Sequence, residues 1–71
     1  MIIPEINHYY LVKGFSGMRA VHCTEPARRL NTDIVARGYD ILSHRNITIF
    51  PARIIKETDK AEIERLFRVK L

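Results

Sequence analysis

Thr24-Glu25-Pro26-Ala27-Arg28-Arg29-Leu30-Asn31-Thr32-Asp33-Ile34-Val35-Ala36-Arg37-Gly38 is the stretch on which the fold turns. Thr24 is a good helix N-cap, Glu25 places an acid in the first turn, and Pro26 loses little there by lacking an N–H. Ala27, Leu30, Ile34 and Val35 recur at helical spacing. Arg37-Gly38-Tyr39 reads as a stop, a cation in the last turn with glycine just beyond it. A first helix ending at Gly38 is therefore expected. The alternative is one long helix running to about His44, because Ile41 and Leu42 continue the apolar stripe. That version puts Asn31 within the stripe and Gly38 in a helix interior, at a cost of about 1 kcal/mol.

Upstream, residues 7–13 are rich in aromatic and branched side chains and read as a strand. Met18 to Cys23 reads as its hairpin partner. A three-residue loop, Phe15-Ser16-Gly17, with Gly17 left-handed, sets Leu11 opposite Val21, Tyr9 opposite Cys23 and Lys13 opposite Arg19. Downstream, Tyr39 to Ser43 reads as a short strand, residues 44–46 as a turn and Ile47 to Ile55 as a longer strand. Pro51 marks that strand as an edge or a bulge. Thr58 and Asp59 cap a final helix, with Asp59 and Glu62 at capping-box spacing and Ile63, Leu66 and Phe67 on its buried face. Leu30 and Ile34 complete the expected core. The expectation is one α+β domain over residues 1–71, a small antiparallel sheet with two helices in the order ββαββα. With the long first helix the order becomes ββαβα.

The chain has 71 residues and a net charge of +4. Residues 1–56 carry eight Lys/Arg against four Asp/Glu, whereas residues 57–71 carry four of each. The positive field thus belongs to the first three quarters and favours phosphates or an acidic protein surface. Cys23 is the only cysteine, so no internal disulfide forms, and a lone thiol suits a reducing cytoplasm. No signal peptide or apolar run of membrane-spanning length is present, so a soluble cytoplasmic protein is expected.

Catalytic and metal chemistry find little support in the residues. His8, His22, Cys23 and His44 are the soft-metal candidates, and none shows C-x-x-C or H-x-x-x-H spacing. No metal, cofactor or catalytic residue is expected. Gly14-Phe15-Ser16-Gly17 matches the Gly-x-x-Gly of KH domains in letters alone, since that loop joins two helices. Ser43-His44-Arg45 follows a helix, a glycine and an aromatic and leads into a strand. This order resembles the HicA-type RNA-cleaving toxins, whose histidine lies in a Gly-Ser-His segment, although Leu42 here replaces that glycine. The likeness covers less than a third of the chain and implies a ribonuclease-like activity using His44.

The basic groups give the main functional expectation, a non-enzymatic module contacting nucleic acid. Lys13 and Arg19 at the hairpin tip, with Arg28 and Arg29 on the first helix, supply phosphate contacts, and Phe15 supplies a stacking surface. The alternative is a protein-binding inhibitor, adaptor or homodimer that uses an edge strand.

Overall fold

Asn31 has φ 57°, the left-handed conformation, and with Thr32 it turns the chain between Leu30 and Asp33, which pair directly. The computed structural model describes all 71 residues and contains six strands and one α-helix. In chain order these are β1 (Tyr9–Gly14), β2 (Gly17–Cys23), β3 (Arg28–Leu30), β4 (Asp33–Asp40) and β5 (Arg45–Ile49). A 3-10 turn (Pro51–Arg53), β6 (Ile54–Thr58) and α1 (Lys60–Phe67) follow. The expected first helix does not exist in either version; its residues form β3, a hairpin turn and β4. The fold is a curled antiparallel half-barrel with one helix, not a sheet with two.

The physical reason lies in the period. Gly38 to Asp40 pairs on both sides, Ile34 and Val35 pair with β3 and Ala36 and Arg37 with β5, and the consecutive Val35 and Ala36 are both buried on opposite faces of the curl. Such a run of apolar residues fits a helix stripe and a two-sided strand equally well. Pro26 sits in a bulge. Cys23 pairs with Gly38 and Arg28 with Val35, which leaves residues 24–27 opposite two residues of β4. Thr24 and Glu25 both donate N–H to Arg37 O, and Pro26 needs no partner there. β2 and β3 therefore follow one another along β4, and β5 takes its other side.

Gly38 is a packing glycine rather than a helix stop. A Cβ there would lie 2.5 Å from Ile49 Cδ1 and 2.9 Å from His22 O. Gly38→Ala should lose about 1–3 kcal/mol through overpacking, measured by urea unfolding. An unchanged midpoint would mean that β4 and β5 pack less tightly than described.

The first hairpin forms with a shifted register. Its loop is two residues, Phe15-Ser16, and Gly17 takes φ 129°. Tyr10 therefore faces Val21, Leu11 faces Ala20, and Lys13 faces Met18 rather than Arg19. A one-residue slip exchanges the faces of every side chain. Tyr10, Val21, Cys23, Ala36 and Ile49 form the core inside the curl. The other face carries a smaller core in which Ile63 of α1 rests on Leu11 and Ala20. Cys23 is fully buried, as expected of an apolar-face residue, and its Sγ donates to Glu25 O at 3.1 Å.

The C-terminal segments also depart from expectation in part. β4 ends at Asp40, so Ile41 to Ser43 is turn rather than strand. The expected long strand from Ile47 to Ile55 is broken at the 3-10 turn, where Pro51 stands in the first turn. α1 is capped as expected, Asp59 Oδ1 accepting from Glu62 N at 2.8 Å. Leu66, expected in the core, is 45% exposed, and Leu30 and Ile34 are also exposed on the β3–β4 hairpin. Eight residues with no span apolar and long enough to cross a membrane make up the one helix.

Candidate nucleic-acid interface

The tight turn between β1 and β2 pushes Phe15 fully into solvent. Arg53, delivered by the 3-10 turn, sets its guanidinium 5.5 Å from the centre of the Phe15 ring. It also donates to Lys13 O at 3.3 Å, tying the β5–β6 connection to the hairpin tip. Lys13 is exposed beside it. An aromatic ring and the Arg53 cation thus meet at one corner, on the rim of an open groove of about 360 Å³ whose apolar walls include Val12, Val21, Ile47 and Phe50, while the Lys13 side chain leaves the strand on the opposite, Leu11 face.

Arg19 lines the same groove, yet its charge is already engaged. Its Nε and a terminal nitrogen donate to the two Asp40 oxygens at 3.0 and 3.2 Å. Asp40 also accepts from the N–H groups of Leu42 and Ser43 at 2.9 and 3.2 Å. Arg28 and Arg29 lie elsewhere. As neighbours on β3 they point to opposite faces, both exposed. Because β2 and β3 run end to end, they stand roughly 30 Å from the tip at strand rise, in a molecule 37 Å long. The structure brings Lys13, Phe15 and Arg19 together, and Arg28 and Arg29 do not join them.

The face that carries α1 holds a second grouping. Tyr9, His22 and Tyr39 lie directly opposite one another across β1, β2 and β4. Tyr9 and His22 stack, centroids 4.5 Å apart and planes within 12°. Tyr39 turns instead to His44, its hydroxyl 3.1 Å from Nδ1. His44 has φ 58° in the β4–β5 turn. These four residues, with Lys60 and Lys70, line a second open cavity of about 350 Å³, as wide to solvent as the groove at the tip. The chain matches no protein-family model, no curated protein and no solved structure.

A third cluster forms where the turn before β1 meets β6. His8 Nδ1 lies 3.3 Å from Glu57 Oε2 and 3.8 Å from Glu5 Oε2. The three ligand atoms fall within 4.8 Å of one another, close enough to share one cation, although all three side chains are 42–68% exposed. Cys23, His22 and His44, the other soft ligands, take no part. Sequence spacing missed this group because Glu57 reaches it only through the β1–β6 pairing. It likewise missed Arg53, which comes from 40 residues beyond Lys13, and the partnership of His22 with Tyr9, which the one-residue register slip concealed.

Proposed function

We propose that the chain is a non-enzymatic module that binds single-stranded nucleic acid at the β1–β2 tip. The supporting observation is Phe15, fully exposed with the Arg53 guanidinium over one side of its ring. A base stacks on the open part of that ring, while Arg53 and Lys13 meet the adjoining phosphates. Arg19 serves the fold through Asp40, and Arg28 and Arg29 contact only a strand long enough to reach the far end. Each phosphate contact releases counterions, so the logarithm of affinity falls with the logarithm of salt by about 0.7 per contact. Such contacts carry little sequence information, so discrimination among oligonucleotides is weak.

Phe15→Ala removes a group without internal packing and should leave the fold intact. It should weaken binding of a labelled single-stranded oligonucleotide about 5- to 150-fold, the equivalent of about 1–3 kcal/mol of stacking. Arg53→Ala should weaken it less and reduce the salt slope. Wild type that fails to bind at low salt, or a Phe15→Ala chain that binds equally well, would remove this reading.

A protein partner is the second reading, favoured by the sheet edges. β5 and β6 each pair on one side only, and Ile55 and Phe50 beside them are 51% and 45% exposed. An open edge of this kind accepts a further strand, from an acidic partner or a second copy. Light scattering across a concentration series separates the homodimer from the rest.

A further inference from the structure

We propose that the cavity between the Tyr9–His22 pair and the Tyr39–His44 pair is a second binding site, for a base–phosphate unit, independent of the hairpin tip. Tyr9, His22 and Tyr39 occupy one row across three strands, where three rings would be expected to stack in series. Only Tyr9 and His22 do so. Tyr39 leans away to hydrogen-bond His44, and the row is split into two aromatic pairs with the side of His22 toward Tyr39 lacking a ring partner. A planar base fits that break and stacks on His22. Tyr39 Oη and the free Nε2 of His44 are positioned to meet its polar edge.

The rim selects an anion. Lys60, at the start of α1, and Lys70, in the segment after it, line the cavity together with Leu71, and these two cations outnumber the one carboxylate beside them, Glu64. The segment is fixed by Leu71 N donating to Glu64 Oε2 at 2.9 Å. Arg68 in the left-handed conformation ends α1 and turns the chain back toward the sheet. The volume of about 350 Å³ is within the range of small-ligand pockets, about 300–1,000 Å³. A ring-stacking slot with two cations at its edge fits a nucleotide better than a bare anion or a bare aromatic.

The test is titration of the 71-residue chain with adenosine 5′-monophosphate, adenosine and inorganic phosphate, read by NMR shifts of the histidine and tyrosine rings. The monophosphate should bind about tenfold or more tighter than either fragment, since stacking and phosphate contacts act together. Lys60→Gln with Lys70→Gln, both exposed and leaving the fold intact, should remove that advantage, and His22→Ala should weaken binding about tenfold. In Phe15→Ala the His22, Tyr39 and His44 ring shifts, which report this site and not the tip, should saturate at the same monophosphate concentration as in wild type. Phosphate binding as tightly as the monophosphate would leave an anion patch only and overturn the proposal. Adenosine binding as tightly would overturn it too, as would a Phe15→Ala chain whose His22, Tyr39 and His44 ring shifts no longer respond to the monophosphate. A short oligoadenylate distinguishes the source of the unit. Tighter binding than the monophosphate, sensitive to His22→Ala, assigns the site to a strand, and equal or weaker binding assigns it to free nucleotide. If oligonucleotide binding ignores Phe15→Ala while the monophosphate still binds, the tip reading fails and this site stands.

Discussion

Ile63→Ala is expected to lower the stability of the chain by about 2–5 kcal/mol. Ile63 is the one buried residue of α1 and is completely inaccessible. It is held against Leu11 and Ala20, with Phe67 and Val69 packed around it. An eight-residue helix is marginal in water on its own, so its order derives from this contact and from the Asp59 cap. Truncating Ile63 both opens a cavity and removes the anchor, and the helix then has little to keep it on the sheet. A domain of this size holds only a few kcal/mol in reserve, so a large share of molecules would lose α1 or unfold. Urea unfolding checks the value, with Leu66→Ala as the control, because half-exposed Leu66 should change stability by only about 0.5 kcal/mol. Equal losses from the two variants would mean that α1 docks through a different face. Since α1 also places Lys60 and fixes the segment carrying Lys70, the Ile63 variant should lose monophosphate binding along with its helix.

The two ends of the chain were more legible than its middle. Branched and aromatic residues beside Gly14-Phe15-Ser16-Gly17 announce a hairpin, and Asp59 with Glu62 announces a helix start, because both signals act within a few residues. The loop length was not legible. Two and three residues are both compatible with those glycines, and the choice moves Leu11 from one face of the sheet to the other. From Thr24 to Gly38 the local signals pointed to a helix and tertiary pairing prevailed. Pro26 suits a first helical turn and a bulge alike, and nothing local distinguishes Asn31 in a stripe from Asn31 in a left-handed turn. The candidate site follows the same division. Lys13 and Phe15 are neighbours in sequence and were found, whereas His22 acquires Tyr9 through strand register and Arg53 reaches the tip from a 3-10 turn 40 residues away. The positive charge of Arg19 was legible, but not its engagement by Asp40, 21 residues away.

Asp40→Ala is expected to cost roughly 2–4 kcal/mol at neutral pH, somewhat below the loss for a fully buried ion pair because Arg19 remains about one third exposed. The carboxylate is nearly buried and receives four hydrogen bonds, two from Arg19 and one each from Ser43 and Leu42. Its removal strands a guanidinium against the apolar groove and leaves the N–H groups of Leu42 and Ser43 in the β4–β5 turn without their acceptor. That turn carries His44, and Arg19 borders the groove at the tip, so one carboxylate supports both proposed sites. Burial alone would raise the Asp40 pKa, but the Arg19 hydrogen bonds, followed by those from Ser43 and Leu42, outweigh it and hold the group below its ordinary 3.8. The folded chain therefore binds fewer protons than the unfolded chain between the two values. The carboxylate's contribution is complete above about pH 3.8 and is lost as pH falls through the lower folded value. Glu62, lowered first by Lys56 and then by Thr58, is lost in the same acid direction, so wild type alone does not isolate Asp40. Asp40→Asn does, because it keeps the shape and removes the charge. Thermal unfolding of wild type and Asp40→Asn from neutral pH downward should give a gap that is constant above pH 4–5 and closes in stronger acid, as the wild-type carboxyl becomes neutral too. A gap that stays constant into strong acid would assign the effect to amide geometry and not to the Arg19–Asp40 charge pair.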